Sequence, residues 1–68
     1  MKAKQFARVL RCGGIASQQL RTWGETYRYL AALERHGAHV SLFYHRYTVR
    51  LGTGFGIVQF PGYQEAQR

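Results

Sequence analysis

Ile15-Ala16-Ser17-Gln18-Gln19-Leu20-Arg21-Thr22-Trp23 is the stretch on which the number of helices in this chain turns. Ile15 and Ala16 read as a short extended lead. Ser17 then stands where an N-cap is wanted, because a hydroxyl accepts from amides that open a helix and have no partner inside it. A short second helix is expected from Gln18 to Trp23, closed by Gly24.

On the N-terminal side, Phe6, Val9 and Leu10 recur at i, i+3 and i+4 with Ala3 and Ala7 close by, while Lys4, Arg8 and Arg11 fall opposite. This period predicts an amphipathic first helix from Lys2 to Cys12, ended by Gly13 and Gly14, since successive glycines suit a left-handed helix stop. On the C-terminal side a third helix is expected from Gly24 to His36. Thr26 is the preferred cap, and a capping box of Thr22 with Glu25, one turn earlier, is the alternative. Tyr27, Leu30 and Leu33 are expected in the core and Trp23 as a buried anchor, with Arg28, Ala32 and Arg35 on the outer face.

From Ala38 the period changes to two, and β-branched and aromatic residues dominate. Strands are expected at about residues 39–44, 47–51 and 55–60, with breaks at His45-Arg46 and Gly52-Thr53-Gly54; one longer hairpin turning at the glycines is the alternative. Pro61 and Gly62 close the last strand, and residues 63–68 are expected as a polar tail. The expected architecture is α+β: three helices followed by a β-hairpin or three-stranded meander, in one domain over residues 1–62.

Ten Lys and Arg stand against three Glu and no Asp in 68 residues, a net charge of +7 that favours a polyanionic partner. Arg supplies all the cations but Lys2 and Lys4, and its planar fork binds a phosphate or a guanine edge through two hydrogen bonds. Cys12 is the single cysteine, so no intrachain disulfide is possible and a reducing cytoplasm fits. No apolar run approaches the length of a membrane span or a signal peptide.

Leu30-Ala31-Ala32-Leu33-Glu34-Arg35-His36-Gly37, with Ile15 to Leu20, Trp23-Gly24 and Gly37 to Val40 around it, resembles bacterial and phage winged-helix regulators over about residues 5–51. The turn between Trp23 and Thr26 is shorter than in those regulators. The resemblance implies a DNA-binding regulator of phage or mobile-element origin, without cofactor, acting as a homodimer on duplex DNA. It places Thr26, Arg28 and Arg35 on a recognition helix in the major groove, Gln18 and Gln19 near the DNA backbone, and Arg46 and Arg50 on the wing.

Other readings rest on single features. Phe43, Tyr44, Tyr47 and Phe55 between Arg46 and Arg50 suit a platform on which single-stranded bases stack. A small basic domain with an aromatic wing also suits a phage-type inhibitor of a host protein. His45 beside Arg46 is the candidate for RNA cleavage, but the chain has few carboxylates to share acid–base work, and it is read as a non-enzyme. Cys12, His36, His39 and His45 match no standard zinc spacing, and no metal is expected. Gly52-Thr53-Gly54-Phe55-Gly56 lacks the Lys-Ser or Lys-Thr of a phosphate loop, so its glycines are read as serving a turn or close backbone approach.

Overall fold

The computed structural model describes residues 1–63, and in it the chain runs α1 (Ala3–Arg11), β1 (Ile15–Gln19), α2 (Trp23–Arg35), β2 (His39–Phe43), β3 (Arg46–Leu51) and β4 (Gly54–Gln59). The α+β class is as expected, but there are two helices rather than three. The expected helix from Gln18 to Trp23 is replaced by β1 and a short loop. Six residues make few intrahelical hydrogen bonds and bear the full nucleation cost of a helix, whereas the edge of β4 offers β1 a parallel ladder from Ile15↔Phe55 to Gln19↔Gln59. Tertiary pairing outweighs a weak local preference here.

Loss of that helix moves the start of the next. Thr22, the alternative cap, rather than the preferred Thr26, caps α2: its hydroxyl accepts from the Glu25 amide at 3.1 Å, and the Glu25 carboxylate accepts from the Arg21 amide at 3.2 Å. Thr26 is instead fully buried, its hydroxyl donating to the Thr22 carbonyl at 2.9 Å. At the other end Gly37 (φ 95°) stops α2, with the amides of Gly37 and Ala38 returning to the carbonyls of Glu34 and Leu33.

The sheet order is β1-β4-β3-β2, with β1 parallel to β4 and the other pairs antiparallel. Residues paired across strands share a face. Ala16, Gly56, Val49 and Val40 form one row on the face toward the helices, and Gln18, Val58, Tyr47 and Leu42 form the next. Phe6, Ala7 and Leu10 of α1 and Leu30 and Leu33 of α2 fill the core against this face. Two glycines of β4 let α1 settle onto the strand. A Cβ at Gly54 would collide with the Leu10 backbone, and one at Gly56 would lie 2.5 Å from the Phe6 ring. The C-termini of the two helices meet where the Arg11 guanidinium donates to the His36 carbonyl at 3.1 Å.

Two residues expected to be buried lie further out. Tyr27 is exposed beside Trp23, which itself remains partly exposed against the Phe60 ring at 4.9 Å. Cys12, at the C-cap of α1, is exposed. Of the expected tail, Tyr63 is described, its carbonyl held by the Gln19 side chain at 2.9 Å, and residues 64–68 lie outside the described residues.

Candidate nucleic-acid interface

Alternation along the strands fixes what the second face of the sheet presents. Ile15, Phe55, Arg50 and His39 make one row across the four strands, Ser17, Ile57, Thr48 and Ser41 the next, and Gln19, Gln59, Arg46 and Phe43 the third. Both helices pack on the opposite face, so this one is uncovered among the described residues. Ile15 is 83 % exposed, Phe43 52 % and Phe55 40 %, against 0 % for Val49 and Val58 beneath the helices, while Leu42, at the outer edge of the helix-facing side, is itself exposed. Neither Glu25 nor Glu34, the carboxylates among the described residues, lies on the sheet.

Each arginine of this face stands opposite a phenylalanine, Arg50 across from Phe55 on β4 and Arg46 across from Phe43 on β2. The strand rise puts Arg46, Thr48 and Arg50 about 6.6 Å apart in succession along β3. The resulting stripe of cation, hydroxyl and cation has an aromatic ring on either flank. A polyanion with flat apolar groups is the chemistry such a surface fits, because guanidinium binds phosphate and phenyl faces stack on bases.

The residues expected to contact DNA do not share one surface. Arg28 and Arg35, exposed on α2, lie on the helix layer, while Arg46 and Arg50 project from the opposite side of the sheet. Gln18 and Gln19 are at no helix N-terminus. Gln18 accepts from the Met1 amine at 2.9 Å, and Gln19 donates to the Phe60 carbonyl at 2.7 Å, so both side chains are engaged within the protein. Thr26 is buried on the inner side of α2 and reaches no surface.

Of the four aromatics expected to form a stacking platform, Phe43 and Phe55 stand on the uncovered face. Tyr47 faces the helices, and burial, with Tyr27 beside it adding in the same direction, raises its hydroxyl pKa. Tyr44 is at the β2–β3 turn, its ring 4.6 Å from that of Phe43. Ile15, Ser17, His39, Ser41, Thr48, Ile57 and Gln59 are the members of this face that the sequence did not single out for nucleic-acid contact. Their parity becomes visible only once β1 is recognised as a strand and the register of β2 on β3 is known.

At one corner of the same face a recess of about 460 Å³ is lined by Gly37, His39, Ser41, Arg50, Leu51 and Gly52. At the other end of the sheet His45 stacks on Tyr63 with ring centroids 4.8 Å apart and meets Phe60 edge-on. Among the described residues no three His, Cys, Asp or Glu side chains come together as metal ligands would, and no helix is long and apolar enough to cross a membrane.

Together these features define a small basic α+β domain with both helices on one side of a mixed sheet and, among the described residues, the other side open. No protein-family model, curated protein or solved structure matches the chain.

Proposed function

We propose that the protein binds single-stranded nucleic acid on the uncovered face of its sheet, without cofactor and without catalysis. The observation that carries this reading is the pairing of Arg46 with Phe43 and of Arg50 with Phe55 on a face that has no carboxylate among the described residues. A strand laid along β3 would place successive phosphates on Arg46, Thr48 and Arg50, and its bases over Phe55 and Ile57 on one side or Phe43 on the other. Charge also favours a polyanion over a second copy, since pressing two such faces together brings four arginines toward one another in a chain already at +7.

Duplex reading through α2 in the manner of a winged helix is the competing proposal. It would draw on Arg28 and Arg35 alone, because the wing arginines face the other way, and it would do so without the second helix of that motif.

Binding of single-stranded RNA, single-stranded DNA and duplex DNA across a salt series tests the two together. Arg46→Ala with Arg50→Ala is expected to abolish most single-strand affinity and to flatten the log–log salt slope by about 1.4, for two phosphates at roughly 0.7 each. Phe55→Ala is expected to lose about 1–3 kcal/mol of binding. A preference for duplex that disappears in Arg28→Ala with Arg35→Ala would overturn the sheet reading in favour of the helix.

A further inference from the structure

The recess beside Arg50 has a chemistry that the rest of the face lacks. His39 pairs with Arg50 across β2 and β3, Ser41 follows two residues along the same side of β2, and the backbone at Gly37 and Gly52 closes the end. An arginine, a histidine and a serine therefore line one recess of about 460 Å³. Phe55 stands directly beyond Arg50 in the same cross-strand row, with Ile15 next to it.

We infer that this corner holds a terminal phosphate of the bound strand, a phosphomonoester, with the end nucleotide's base stacked on Phe55. The inference rests on the sheet reading above. An end phosphate carries a charge of roughly −1.5 to −2 at neutral pH and three free acceptor oxygens, against one charge and two free oxygens for a phosphodiester within the chain. The Arg50 fork takes two of those acceptors and leaves the third to His39 or Ser41. Position supports an end rather than the middle of a chain, because the turns at Gly37 and Gly52 stand where the strand would otherwise continue.

A helix C-terminus ordinarily repels an anion, and α2 ends beside this recess. Most of its terminal carbonyls are already occupied. His36 accepts from Arg11, Glu34 from the Gly37 amide, and Leu33 from the amides of His36 and Ala38. Arg35 adds a cation in the last turn.

The test compares labelled oligonucleotides of one sequence carrying a 5′-phosphate, a 3′-phosphate or hydroxyls at both ends, with a nucleoside monophosphate as a separate arm. One phosphorylated end is expected to bind at least tenfold more tightly than the hydroxyl form. The ratio of phosphorylated to hydroxyl-ended affinity is expected to fall to about one in His39→Ala with Ser41→Ala, a double variant of exposed strand residues, whatever that variant does to hydroxyl-ended binding. Equal affinity for all three ends overturns the inference and leaves the sheet reading standing. A nucleoside monophosphate that binds as tightly as the phosphorylated strand overturns the strand-end assignment in favour of a free-nucleotide site. Failure of every oligonucleotide to bind overturns both readings.

Discussion

Tyr44 is the one non-glycine residue with a left-handed backbone among those described, at φ 56° and 78 % exposed. It is the first of two residues joining Phe43 to Arg46. Gly52 takes the equivalent place between Leu51 and Gly54 at φ 61°, so the same kind of hairpin is built once with the favoured residue and once with a bulky one. Relief of this strain in Tyr44→Gly is expected to stabilise the fold by about 1 kcal/mol, which thermal unfolding would register as a rise of roughly 4–8 °C in Tm. Tyr29 offers a second residue-scale prediction. Burial pushes its hydroxyl pKa up to about 12, and that hydroxyl donates to the Met1 carbonyl at 2.7 Å. The folded state thus holds the Tyr29 proton more tightly than the unfolded state. Its contribution is complete below the unfolded value near 10 and is lost as pH climbs from there through about 12. Alkaline unfolding of Tyr29→Phe, followed by circular dichroism, is expected to lack that component of the decline, and a tyrosinate absorbance titration should lose one late-ionising group.

Among the elements, β4 is the least tolerant of substitution. Gly54→Ala and Gly56→Ala each press a methyl group into α1, against the Leu10 backbone in the first case and the Phe6 ring in the second. Overpacking of this kind typically costs about 1–3 kcal/mol, and backbone at Gly54 yields less readily than a side chain, so Gly54→Ala should be the more damaging in urea unfolding. Thr22→Ala removes the cap of α2 and is expected to cost about 1 kcal/mol. That cap also shows how far the elements were legible beforehand. The first helix, the third and the strand character of residues 39–60 follow from periodicity, because in each the pattern repeats over enough residues, although three strands or one longer hairpin stayed open. Ile15–Gln19 does not, since five residues of mixed polarity carry no stripe and their partner lies forty residues away on β4. Reading them as helical displaced the cap from Thr22 to Thr26 and put Gln18 and Gln19 at a helix end they do not occupy. Arg46 and Arg50 were visible as basic strand residues. Their separation from Arg28 and Arg35 by the thickness of the sheet was not, because it depends on which parity faces the helices.

At the scale of the molecule, charge and layering divide the surface into an arginine-bearing helix layer and an arginine-bearing sheet face. If the sheet is the binding side, Arg28→Ala with Arg35→Ala should weaken single-strand binding only through net charge, with a salt slope nearly that of the unaltered protein. Salt-dependent titration of the two double variants side by side reads this directly. The parallel ladder of β1 on β4 has a consequence for how the chain reaches this state. Every other strand pair is joined by a two-residue turn, but β1 finds its neighbour only after α2, β2 and β3 have been spelled out, and β4 also supplies the surface on which α1 rests. Loop closure over that distance is paid early and rewarded late, which slows folding. A chain halted before Phe55 would leave β1 unpaired and α1 without the floor made by β4, so during synthesis the domain can assemble only when almost its whole length has emerged.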